Sequence, residues 1–294
     1  MNWNLLPCIL ILIRSCYATD LDCDNENQCS RYCYQVVKPL LQYAKKAQEK
    51  ERDFLKLKEI NRKLDEENAA LAKQLVEKYE ELQFYKNYRS SCLDKKSGIQ
   101  EMTVSYVQTF PVYCDSELIG SEWTVIQRRK DASESFNRGW TDYRRGFGNL
   151  KNNFFIGLEN LYLLTNEKPH ELYIYLKRSD NEVRHAKYSL FKIAGESENY
   201  KLLSVGNFSG NANDSLSGHV NMSFSTYDRD NDESKYNCAL EWLSGWWFTK
   251  CFFSNLNGLY KDNVINLQNG IRWNSWNSGK ELTFVQMMIR PIIN

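Results

Sequence analysis

Two kinds of hydrophobic spacing divide this chain. Between Val36 and Tyr85 the sequence holds one proline, Pro39, no glycine, and apolar residues at alternating steps of three and four. In a seven-residue register, position a falls on Leu40, Ala47, Phe54, Asn61, Asn68, Leu75 and Leu82. Position d falls on Val36, Tyr43, Lys50, Leu57, Leu64, Leu71, Lys78 and Tyr85. The regular stretch from Phe54 to Tyr85 predicts a coiled-coil helix within 36–89. Asp53 at g opposes Lys58 at the following e, and Glu81 opposes Lys86 in the same way. Asparagine at a costs stability but sets register and favours two parallel strands. Asn61 and Asn68 therefore predict a homo-oligomer, a dimer ahead of a trimer. The competing reading is a single amphipathic helix docked on a domain, which a strict 3.5-residue repeat argues against.

Near Ser90 the pattern changes, and a second region runs over 90–294. Glycine, asparagine and aromatic residues become common and the heptads stop. "WTVIQRR" (123–129) and "ELYIYLKR" (171–178) alternate and predict strands. "FNRGWTDYRRGFG" (136–148) and "FFIGLENLYLLT" (154–165) predict short helices. Strands and helices interleave without a βαβ rhythm, so the expected fold class is α+β.

Ahead of the helix, Leu5–Ile13 is an apolar run too short to span a bilayer. It reads as part of a signal peptide over 1–18 that ends at the small Ala18. Residues 19–35 then form a Cys-rich segment. With Cys8 and Cys16 removed, seven cysteines remain, and in an exported chain an odd number leaves at least one bonding outside the chain or free. Cys23, Cys29 and Cys33, just before the coiled coil, are the candidates for interchain bonds. Asn207, Asn213 and Asn221 each open a glycosylation sequon, which points to the same extracellular setting and to an exposed segment. A net charge of +1 gives no general attraction to nucleic acid, and no later segment is apolar enough to cross a membrane.

Candidate chemistry concentrates in "FSTYDRDNDESKYNCALEWLSGWWFTKC" (224–251). Asp228, Asp230 and Asp232 alternate, so in an extended segment they face one side and repel unless a cation or solvent screens them, and a solvated acidic turn is the competing reading. An EF-hand is excluded, because Glu233 and Ala239 stand where that loop needs glycine and glutamate. Trp246 and Trp247 read at least in part as core. His170, His185 and His219 belong to no HExxH motif and read as surface residues. No GxSxG or GxxxxGK[ST] motif occurs, so an enzyme is not expected.

The ordered set "WTVIQRR", "FNRGWTDYRRGFGNL", "LYLLT", "ENYKL", "FSTYDRDND", "NCA", "GWWF", "SNLNGLY", "GIRWNSW" and "MMIRP" resembles the fibrinogen C-terminal domain family over about two hundred residues. The resemblance implies a fibrinogen C-terminal-like domain preceded by the coiled coil. It further implies disulfides Cys92–Cys114 and Cys238–Cys251, and a cis peptide bond at Lys250–Cys251. For calcium it implies the side chains of Asp230 and Asp232 with the backbone carbonyls of Ser234 and Tyr236. Asp228 is not carried over as a ligand. The family's pocket maps onto Trp242, Phe252 and Leu267. Relatives that bind acetylated sugars carry tyrosine, histidine and tyrosine there, so those polar handles are missing. Asp262 lies near this pocket without an assigned role. The functional expectation is a secreted, lectin-like recognition protein of innate defence with a calcium-braced pocket for an extracellular glycan or protein ligand. The alternative is a secreted signalling ligand for a cell-surface receptor.

Overall fold

The computed structural model describes residues 26–104, 108–120, 122–260, 269–276 and 280–292. The expected signal peptide and Cys23 lie outside them, as do Asp262 and Leu267. Cys29 and Cys33 fall within the first helix, but their side chains also lie outside the description. The chain divides into two compact units, Met1–Glu81 and Leu82–Asn294.

The first unit is built on α1 (Glu26–Arg89), a continuous helix of 64 residues that begins well before the predicted start and runs through Pro39. Its seam residues stand bare in the single chain, with Phe54, Leu57, Leu64, Leu71 and Leu82 all more than half exposed. Charged residues on the outer side pair along the helix, as in Arg62 with Glu59 and Glu66 at 2.6 Å each. Such exposed i,i+3 and i,i+4 pairs add little to stability. The helix therefore depends on covering its apolar stripe.

The globular unit is an antiparallel sheet with short helices. β1 (Gly98–Val104), β2 (Gln108–Asp115) and β3 (Trp123–Arg129) form successive neighbours. Short β4 (Phe147–Gly148) pairs with β5 (Phe154–Phe155), which joins the edge of β3. β6 (His170–Arg178) and β7 (Val183–Ile193) form a hairpin, with β8 (Leu202–Ser204) and β9 (Phe208–Gly210) attached to β7. β10 (Ser254–Asn255) and β11 (Arg272–Trp273) make a separate ribbon. The last strand, β12 (Leu282–Pro291), inserts between β3 and β6, so the final part of the chain forms the middle of the sheet. β6 alternates buried and half-buried residues along its length, as its pattern predicts. β3 is buried throughout, including Gln127, Arg128 and Arg129.

The two predicted helices are shorter than their patterns suggested. The first is only α2 (Trp140–Arg145), and the second starts later, as α3 (Leu158–Glu167), with Phe154 and Phe155 in β5. Gly157 explains the second boundary. Its φ is +100°, and a Cβ there would sit 2.7 Å from the Arg145 carbonyl carbon. The left-handed conformation and close backbone approach break the run at that point. α3 buries Leu158, Leu161 and Leu164, while Leu172, Ile174 and Leu176 of β6 and Phe191 of β7 complete that core. Cys92–Cys114 is bonded, with Cα atoms 5.5 Å apart.

Candidate binding site in the Cys238–Cys251 loop

Cys238 opens α4 (Cys238–Glu241) and is bonded to Cys251, with Cα atoms 5.6 Å apart. The Lys250–Cys251 peptide is cis, as the resemblance implied. The preceding acidic stretch is coiled into turns, so its three aspartates do not share a face. Asp228 Oδ1 accepts the Trp140 N–H at 2.9 Å and the Thr226 hydroxyl at 2.6 Å. It therefore ties the start of α2 to this loop and takes no part in the other two carboxylates' arrangement. Asp230 Oδ1 accepts the Asp232 N–H at 3.2 Å. Asp232 accepts the Ser234 N–H at 2.8 Å through Oδ1 and the Cys238 N–H at 2.9 Å through Oδ2. Asn237 caps α4 by accepting the Leu240 N–H at 2.9 Å.

Burial raises the Asp232 carboxyl above its ordinary value, the Cys238 and Ser234 N–H groups oppose the shift, and the Asp230 carboxylate adds to it. Two carboxylates set against each other suit a hard cation, which relieves their repulsion. No described hydrogen bond ends on the carbonyl of Ser234 or of Tyr236. The donor set thus fits calcium in chemistry. Among the described residues no three of histidine, cysteine, aspartate and glutamate converge, so carbonyls and water would have to complete the shell.

The loop is also held from below by a residue expected at the surface. His219 is fully buried. Its Nδ1 donates to the Trp247 carbonyl at 2.7 Å, while Nε2 accepts the N–H groups of Phe253 at 3.1 Å and Ser254 at 3.0 Å. These partners define the neutral Nδ1–H tautomer. Burial lowers its pKa to about 4, against the opposing pull of the Trp247 carbonyl. His170 is buried as well, and only His185 is partly exposed. No sequence motif marks His219; the polar run around it hid a residue that packs against Trp246 and Phe253.

Trp246 and Trp247 are core, packed at 5.2 Å and 68° to each other, and Trp247 Nε1 donates to the Tyr200 carbonyl at 2.8 Å. Of the expected pocket walls, Trp242 and Phe252 meet edge to face, with centroids 4.9 Å apart. Leu267 lies outside the described residues. Beyond α1, the three largest exposures among the described apolar side chains flank the disulfide. Tyr236 is 75% exposed, Leu240 58% and Phe253 52%, and each lies two residues from Cys238 or Cys251. The Asn237 side chain donates to the Tyr227 carbonyl at 3.2 Å, which brings the 44% exposed Tyr227 to the same loop. Asn207, Asn213 and Asn221 are all exposed.

Fold and site together define a disulfide-braced, antiparallel α+β domain whose candidate binding residues gather around one cysteine-closed loop. The chain belongs to the family of the C-terminal globular domain of fibrinogen beta and gamma chains, whose model matches residues 87–292. It is 43% identical to human fibrinogen-like protein 1 over 199 residues, covering 62% of this chain and 63% of that protein. It is 40% identical over 194 residues to human fibrinogen C domain-containing protein 1, covering 64% of this chain and 42% of that one. The chain thus spans less than two thirds of these relatives' lengths. Among solved structures it is similar to the fibrinogen-like globe domain of human ANGPTL2, with a TM-score of 0.65 and 36% identity, covering 69% of this chain and 98% of that one. A lamprey fibrin D-dimer complexed with the peptide Gly-His-Arg-Pro-amide matches with a TM-score of 0.64 and 27% identity, covering 89% of this chain and 94% of that one. Among the described residues no helix is long and apolar enough to cross a membrane.

Proposed function

We propose that this is a secreted, oligomeric, non-enzymatic binding protein that engages a protein partner through the apolar surface around Cys238–Cys251, in the manner of a ligand for a cell-surface receptor. The observation that carries this reading is the placement of Tyr236, Leu240 and Phe253, three large and mostly exposed side chains at fixed positions around one disulfide. Exposed aromatic and apolar groups on a rigid frame are the anchors of protein interfaces. Asp230 and Asp232, with the carbonyls of Ser234 and Tyr236, would hold calcium and stiffen the segment that presents Tyr236. Parallel α1 helices, joined by interchain cysteines, would multiply weak contacts into avidity. Glycans at the exposed Asn207, Asn213 and Asn221 accord with the secreted setting. An acetylated sugar suits the site less well, since Trp242 and Phe252 pack on each other and supply no hydroxyl or imidazole.

The test is binding of the purified protein to whole cells after either deglycosylation or mild surface proteolysis. Proteolysis should abolish binding and deglycosylation should spare it. Replacing Tyr236, Leu240 or Phe253 singly by serine should weaken binding about tenfold, roughly 1.4 kcal/mol each. Loss of binding on deglycosylation, or competition by acetylated sugars, would restore the lectin reading in its place.

A further inference from the structure

We infer that the self-association seam of α1 shifts from seven-residue to eleven-residue spacing between Leu71 and Leu82, so that Tyr79 rather than Lys78 faces a second, parallel copy of this chain. The inference rests on the parallel oligomer proposed above and specifies its contact surface. From Leu57 the seam runs through Asn61, Leu64, Asn68, Leu71 and Leu75 in steps of four and three. A strict repeat next reaches Lys78, a charged residue in an apolar seam. The alternative path Leu71, Leu75, Tyr79, Leu82 takes steps of four, four and three and is apolar throughout.

The line beside the seam changes at the same place. In the first half it carries Leu55 and then Lys58, Arg62 and Asp65, and in the second half it carries Ala69, Ala72, Val76 and Tyr79. These residues are spaced three or four apart and lie on one strip of the helix. In the charged half Arg62 is held between Glu59 and Glu66. The apolar half is bare, with Val76 57% and Tyr79 62% exposed beside Leu75 at 73%. Lys78 turns along the helix to Glu81, Nζ to carboxylate 2.5 Å, leaving its stem beside the seam and its charge at the edge. An eleven-residue step has about 3.67 residues per turn, close to the natural 3.6, so two helices can run side by side there with little supercoil. Charge favours a second copy in parallel. Ahead of the shift, where the seven-residue register holds, Asp53 of one helix opposes Lys58 of the other.

Melting of the helical signal of the full-length protein tests the seam, with Tyr79→Ala, Tyr79→Leu, Lys78→Leu and Leu64→Asp compared with the wild type. Tyr79→Ala should lower the midpoint by about 5 °C or more. Tyr79→Leu, which keeps an apolar contact, should restore most of that loss, and Lys78→Leu should shift the midpoint little. A large rise with Lys78→Leu together with no loss in Tyr79→Ala would establish the unbroken heptad and overturn the shift. Leu64 lies in the seam under either spacing. A Leu64→Asp protein that melts like the wild type would remove parallel self-association itself, whereas a sensitive Leu64→Asp beside an insensitive Tyr79→Ala would remove only the shift.

Discussion

Acidification should loosen the Cys238–Cys251 loop through His219, and the size of the effect follows from its partners. The ring is neutral in the fold because Nε2 must accept two backbone N–H groups while Nδ1 donates to the Trp247 carbonyl. Protonation turns the acceptor into a donor and faces it with two others. The pKa falls from the ordinary 6.5 to about 4. For a base depressed on folding, the stabilisation is complete above the unfolded pKa and is lost as pH falls towards the folded one. Linkage between these two values gives a loss of about 2 kcal/mol by pH 5 and about 3 kcal/mol by pH 4. His170, also lowered to about 4 by burial, adds a similar term, and carboxylates titrate in the same range. The contribution of His219 is isolated by difference. His219→Ala leaves the Phe253 and Ser254 N–H groups buried and unpaired, at about 1–3 kcal/mol each, but cannot titrate. Urea unfolding followed by tryptophan fluorescence at fixed calcium, at pH 7, 6, 5 and 4, gives both curves. The gap between wild type and variant should shrink by about 3 kcal/mol across that range. A gap that stays constant with pH would refute the assigned tautomer and its role.

Calcium should raise the melting temperature of the wild type and leave Asp232→Ala unmoved; a chelator without effect on the wild type would remove the calcium assignment. Asp228→Ala should lose about 1 kcal/mol, because Trp140 N–H loses its acceptor, yet keep the calcium response. Thermal scans with and without calcium separate the two aspartates. Gly157→Ala should cost about 2 kcal/mol in denaturant unfolding, since its φ of +100° and the Arg145 backbone leave no place for a Cβ. The purified full-length protein should run on a non-reducing gel at twice its reduced mass; a monomeric band with monomeric sedimentation would contradict the interchain cysteines.

Periodicity and residue identity made parts of this protein legible from the chain alone. The alternation of "ELYIYLKR" is a property of neighbouring residues, and it appears unchanged in β6. The strand at 123–129 appears with the predicted ends. The family motifs implied both disulfides and the cis bond, all present in the fold. Contacts distant in sequence were decided elsewhere. β12 forms the middle of the sheet because β3 and β6 pair with it on its two sides. The helix expected over 154–165 gave way where the Gly157 backbone meets Arg145, a contact that no local pattern contains. Asp228 shares its spacing with Asp230 and Asp232, yet its oxygen serves Trp140, 88 residues earlier. His219 has no sequence signature because its role is made by Trp247, Phe253 and Ser254, which reach it only after the chain has folded over it. Local spacing governs which face of an element is apolar, but a polar side chain takes its role from whichever backbone groups the tertiary fold leaves for it to satisfy.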